Sequence, residues 1–203
     1  MNKVVAVLAF GAVAVTPLTA HAQPVREVSK VSVEVLADGA FPTSKLGDAD
    51  LDAGFGIGAN IRWRLQSHLL AYAGWEWHKF ATEELVASQA IDVEETGYTF
   101  GVRFEHPFSG ESNSTSAPGY WLKAGGVWSH LELEDEDGEL IADTGHGLGW
   151  EAGAGVTFPL GSRLAFAPGV RYRTLSRDLT IASTTRSVTL TYIAATVGLT
   201  IAF

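Results

Sequence analysis

Ser129 and His130 are adjacent, His146 follows sixteen residues later, and His78 and Ser88 lie upstream. Serine beside histidine is the pairing that activates a hydroxyl nucleophile, so hydrolytic chemistry is the first candidate. The spacing argues against it. Neighbouring residues of a strand point to opposite faces, so Ser129 and His130 cannot exchange a proton directly. Cation chemistry is the second candidate, in the acidic stretch LELEDEDGELIADTG at 131–145. Asp135, Asp137 and Gly138 fall on three positions of a twelve-residue calcium loop. Its first ligand would then be Leu133 and its twelfth Thr144, where a bidentate Glu is required. The stretch therefore reads as a charged hairpin turning at Asp137-Gly138, able at most to hold surface cations loosely, and no metal or cofactor is expected.

A larger charged set sits inside alternating apolar segments. In FGIGANIRWRL, Phe55, Ile57, Ala59, Ile61, Trp63 and Leu65 share one strand face, and Gly56, Gly58, Asn60, Arg62 and Arg64 share the other. The same period of two places Glu76, His78, Arg103, Glu105, Lys123, Glu151, Arg171 and Arg173 mostly on the Gly-rich face of their own segments. Eight such strands are predicted, near 28–41, 52–65, 69–80, 95–106, 120–134, 139–159, 163–175 and 187–203. Short turns at 66–68 and 160–162 alternate with polar loops near 42–51, 81–94 and 176–186, and a Ser-rich connection at 106–119 is long for its side. In the loop at 174–187, Arg177 and Arg186 stand opposite Asp178, an ordinary surface loop that could also touch an anionic partner.

Those faces decide between two all-β architectures. In a soluble sandwich the glycines would weaken a water-facing surface without a steric reason. In a narrow closed barrel the same face is the lumen, where glycine makes room and opposite charges pair. The expectation is an eight-stranded antiparallel transmembrane β-barrel, with Arg62, Arg64, Glu76, Arg103, Glu105, Lys123, Glu151, Arg171 and Arg173 forming a lumen charge network. Phe41, Trp63, Trp75, Phe104, Tyr120, Trp128, Phe158 and Tyr172 lie near strand ends on the outward face, as interfacial girdles require.

The chain of 203 residues opens with Lys3, an apolar run and Ala20-His21-Ala22. This reads as a signal peptide at 1–22, leaving a single barrel domain at 23–203. Its net charge of −9, or −10 without Lys3, disfavours a nucleic-acid partner. It contains no cysteine, so no disulfide framework is available. After residue 22 no uninterrupted apolar stretch reaches the length of a membrane helix.

The leader, the eight alternating strands and the ending TVGLTIAF resemble the small eight-stranded outer-membrane proteins of Gram-negative bacteria, the group of the OmpA transmembrane domain, OmpX and Opa-like adhesins. In that group a terminal aromatic preceded by alternating apolar residues is the assembly signal, matched here by Phe203, Ile201, Leu199, Val197 and Ala195. The resemblance implies a bacterial outer-membrane location with both termini periplasmic. It also implies partners among outer-membrane lipids and lipopolysaccharide, the assembly machinery, periplasmic chaperones, and a host or surface ligand. No peptidoglycan-binding domain is expected. The function it suggests is non-enzymatic: membrane integrity, with adhesion or ligand binding through the loops. Two alternatives stand beside it, a small-solute channel and a lipid A-modifying enzyme, although the His-x-Ser pair of the lipid A deacylases is absent.

Overall fold

The computed structural model describes residues 29–47, 49–86, 89–109, 117–135, 137–181 and 184–203. The expected leader 1–22, Ser88 and residues 110–116 of the Ser-rich connection lie outside these residues. The described residues form strands β1 (Val31–Pro42), β2 (Gly54–Gln66), β3 (Leu69–Val86), β4 (Gln89–Pro107), β5 (Gly119–Glu134), β6 (Leu140–Asp143), β7 (Gly147–Pro159), β8 (Leu164–Ile181) and β9 (Thr184–Ala202). Every pairing is antiparallel. β5 pairs with β7 along the wall and with β6 beyond it, and β9 closes back onto β1.

The register defines the barrel's shape. The pairing line Val31–Trp63–Ala71–Val102–Ala124–Ala152–Tyr172–Ile193 returns to β1 at Phe41, ten residues beyond its start. Eight wall strands with that stagger, at ~3.3 Å per residue and ~4.8 Å between strands, tilt about 40° from the axis. A closed ring leaves no unpaired strand edge, which is how a sheet can meet lipid.

The start of β1, the end of β9 and the turns after β2, β4 and β7 share one end of the barrel, here the terminal end. The β1–β2, β3–β4, β5–β6 and β8–β9 connections share the far end. From the terminal end upward the outward face is apolar, with Val35, Ile57, Ile61, Phe100, Leu122, Val170, Val197, Leu199 and Ile201 all exposed. Toward the far end that face becomes polar, at Lys79, Glu94, His130, Ser176 and Thr189. At the same level the inward face changes in the opposite sense. Charged side chains give way to Phe80, Val93, Leu131, Leu175, Leu190 and Tyr192, the centre of a buried apolar cluster.

This inversion corrects the expected strand ends. Segments 81–94 and 176–186 are not long polar loops. β3 and β4 run on to Val86 and from Gln89, and β8 and β9 to Ile181 and from Thr184. The period of two persists at Ile91, Val93, Leu179 and Val188, which are buried, and at Asp92, Glu94, Asp178 and Ser187, which face outward, because beyond the lipid water is outside. Arg177 accordingly is no surface-loop residue. It is buried and donates to the carbonyls of Ser129 (2.9 Å), Leu148 (3.0 Å) and Gly147. The single strand expected at 139–159 is broken between Asp143 and Gly147.

Candidate functional site

The lumen is built from residues two apart on each wall strand. β1 contributes Ser32, Glu34 and Asp38, β2 Asn60 and Arg62, β3 Glu76 and His78, and β8 Arg171 and Arg173, all buried. Large side chains enter slots left by glycine. A Cβ on Gly169 would lie 2.2 Å from the Trp121 ring, one on Gly125 2.3 Å from the Tyr72 hydroxyl, and one on Gly56 2.2 Å from His78.

The charges form two clusters. Toward the terminal end, Arg103 reaches Glu34 at 3.1 Å and Glu105 at 2.9 Å, and Arg62 reaches the same two carboxylates at 3.4 and 3.3 Å. Arg62 also donates to Thr200 Oγ1 (2.8 Å) and Ser32 Oγ (3.2 Å). The Arg103 guanidinium lies 4.4 Å from the Trp121 ring centre, a cation–π contact in a desolvated setting. Arg64 is peripheral, 3.7 Å from Glu105 and donating to the Ser67 carbonyl.

Toward the far end, Arg171 binds Glu76 (2.6 Å), Glu151 (3.5 Å) and Asp38. Arg173 binds Glu151 (2.8 Å), Glu95 (3.2 Å) and Glu76. Lys123 reaches Glu151 at 2.8 Å. Hydroxyls add donors to two of the carboxylates: Tyr72 and Thr99 donate to Glu151 (2.8 and 2.7 Å), and Tyr192 and Ser129 donate to Glu95 (2.7 and 3.2 Å). Asp38, Glu76 and His78 bring ligand-type atoms within 4.8 Å of one another, but the Arg171 guanidinium already supplies their positive charge.

The free space follows these clusters. Between them lies a void of about 20 Å³, lined by Glu34, Arg103, Trp121, Lys123 and Arg171, with room for about one water. The terminal end opens as a vestibule of about 1000 Å³, lined by Arg62, Arg64, His68, Glu105, Arg163 and Phe203 among others. Above the upper cluster the apolar core of Phe80, Leu131, Leu175, Leu190 and Tyr192 occupies the lumen.

No protein-family model matches the chain, and no curated protein matches it. Solved structures do. Neisserial surface protein A is similar at TM-score 0.60 and 14% identity, over 88% of this chain and 100% of that one. OprG from Pseudomonas aeruginosa gives 0.57 and 12%, over 87% and 97%. Outer membrane protein W of E. coli gives 0.54 and 12%, over 87% and 99%. The fold is that of the small outer-membrane β-barrels.

Within this barrel all nine charged residues singled out in the sequence line the lumen side, divided between two clusters. Four members were not in that set: Glu34, Asp38, Glu95 and His78, the last hydrogen-bonded to Asp38 at 3.1 Å. A signal for them existed. Glu34 and Asp38 alternate with Ser32 and Leu36 against Val31, Val33 and Val35, and Glu95 shares the face of Gly97, Thr99 and Arg103. The expected girdle residues Phe41, Trp63, Trp75, Tyr120, Trp128, Phe158 and Tyr172 are exposed on the outward face. Phe104 is half-buried, its ring 6.1 Å from that of Tyr120. Phe203 is exposed, and its N–H bonds the Val31 carbonyl at 3.0 Å.

The residues considered for hydrolysis are separated. Ser129 points into the lumen toward Glu95 and Arg177, and His78 lies in the lumen with Asp38. His130 faces outward, 3.1 Å from His146. Just beyond the apolar band, Lys79 lies between Asp92 and Glu94, 2.9 Å from each, and 3.7 Å from Glu134. Hydrogen bonds to Asp92 and Glu94 hold its ammonium well above the usual lysine range. Burial alone would raise Glu94, but the Trp77 indole and Lys79 bring it below the ordinary carboxylate value. Glu134 is raised by burial and by its neighbour Glu94.

Proposed function

We propose that this protein is an integral outer-membrane barrel with a closed lumen and both termini periplasmic. On this reading it serves membrane integrity and presents its far end as a surface for adhesion or ligand binding, without catalysis. The observation that carries the closed lumen is the succession of two different seals. Paired charges fill the interior at membrane depth, and an apolar core fills it above. An ion crossing would have to separate desolvated ion pairs, at several kcal/mol each, and then enter an apolar core. The vestibule on this reading is a blind recess open to the periplasm.

Planar-bilayer recording of the refolded protein tests this reading. The expected result is no steady conductance above the bare membrane. A large, stable conductance would overturn the closed lumen and favour the channel alternative.

A further inference from the structure

Between the pairs Ser129–Gly147 and Glu132–Asp143, two residues of β5 oppose three on the other side, Thr144, Gly145 and His146. This is a β-bulge, a device that re-aims side chains. Thr144 secures it twice, its N–H donating to the Leu131 carbonyl (3.0 Å) and its Oγ1 accepting from the Leu131 N–H (2.9 Å). Gly145 takes a left-handed φ of 66° that suits glycine, and its N–H donates to Asp143 Oδ1 at 2.7 Å. The bulge sets the His146 ring against His130 on the outward face, with centroids 4.3 Å apart and Trp128 packed behind His146 at 4.7 Å.

The ring atoms that meet are His130 Nδ1 and His146 Nε2, 3.1 Å apart. On its other side, His130 Nε2 lies 3.2 Å from Glu132 Oε1. The carboxylate selects the tautomer: Nε2–H donates to Glu132, and the Nδ1 lone pair faces His146. We propose that His130 and His146 chelate one divalent transition metal of the imidazole-binding class, Zn²⁺, Ni²⁺ or Cu²⁺, with Glu132 as the residue that orients His130. Two nitrogens ~2.1 Å from a metal and as far apart as these subtend about 95° at the ion, within the range of tetrahedral to tetragonal sites. Loading requires His146 to move its proton from Nε2 to Nδ1, so both facing lone pairs become ligands. Water completes the shell. The carboxylate–histidine–metal arrangement is the usual outer support of such sites.

The nearby carboxylates Glu94, Glu132 and Glu134 bring oxygens within 4.8 Å of one another, but Lys79 already pairs with Glu94 and Glu134, and Glu132 faces His130, so the imidazoles are the acceptors of a metal here. This site goes beyond both the surface role proposed above and the sequence reading, which expected no metal.

Calorimetric titration of untagged protein in bilayer nanodiscs with Zn²⁺ and Ni²⁺ tests the proposal, with Mg²⁺ as control. One saturable equivalent is expected at pH 7.5. His130→Ala and His146→Ala should each weaken binding more than tenfold, and Glu132→Gln should weaken it several-fold. Unboiled gel migration monitors whether each variant keeps its fold. Absence of saturable Zn²⁺ or Ni²⁺ binding, or unchanged binding in the folded His130→Ala/His146→Ala double variant, would overturn the site. Equal uptake of Mg²⁺ would also overturn it, since imidazole nitrogen discriminates against that ion.

Discussion

Glu76 is fully buried and accepts from both Arg171 and Arg173. Removing its charge leaves two guanidinium groups short of a partner where water cannot compensate. Glu76→Gln is expected to destabilise the barrel by about 3 kcal/mol, read as a lower temperature at which the folded form disappears from unboiled gels. Loss at Arg64 should be far smaller, because its guanidinium is peripheral and bonds the Ser67 carbonyl beside a partly exposed Glu105. A comparable loss from Arg64→Gln would contradict the division into interior and peripheral charges. Most of these residues were legible from parity alone, since Arg62, Glu76, Glu151 and Arg171 share faces with glycine. Which charge meets which was not legible. Arg171 meets Asp38 from 133 residues away, and that meeting depends on how the ring closes rather than on any local pattern.

At the scale of strands, alternation located every wall segment but misjudged where several end. The reason is particular. Leu175, Leu179, Val188 and Leu190 continue the inward face of their strands, yet they alternate with Ser176, Asp178, Ser187 and Thr189, so the average polarity resembles a loop. The periodicity survives past the membrane while its sign reverses, and a reading that looks for apolar residues facing lipid stops at the reversal. The break at 144–146 was hidden for another reason: a bulge adds one residue and leaves the flanking patterns intact. These far-end extensions act as a lid of ordinary apolar packing. Leu131 and Leu190 are fully buried within it. Leu131→Ala is expected to cost about 3 kcal/mol through lost transfer and cavity terms, measured by urea unfolding in bilayers. An effect below 0.5 kcal/mol would mean the lid is not packed as described.

For the whole molecule, the height of the apolar band is set by geometry. The ten steps along β1 from Val31 to Phe41, at ~3.3 Å each and tilted about 40°, rise roughly 25 Å, close to the hydrophobic span of outer-membrane barrels. Folding yield should therefore be highest in bilayers of about that hydrocarbon thickness and fall in thicker ones, followed by the fraction of heat-modifiable protein. A yield that rises steadily with thickness would contradict the band. Phe203 stands at the lower border of this band, held by one backbone bond to β1. Deleting it should impair delivery to the outer membrane in cells more than it lowers the stability of refolded protein; normal surface delivery would refute its role as an assembly signal.

The register that returns to β1 ten residues on has a further consequence. Around a closed loop the offsets of all neighbouring pairs must add up to one fixed total, so no seam can slip alone. A strand displaced by two residues against one neighbour must be compensated at another seam, and a displacement by one would present its charges to lipid. Pairing errors in the wall are therefore global, and the ring has few near-native alternatives in which to become trapped. The irregular residue at 144–146 escapes this arithmetic because the β5–β6 pairing lies above the closed circuit. It is a place where the chain can gain or lose a residue, and re-aim a side chain, without any other strand being asked to move.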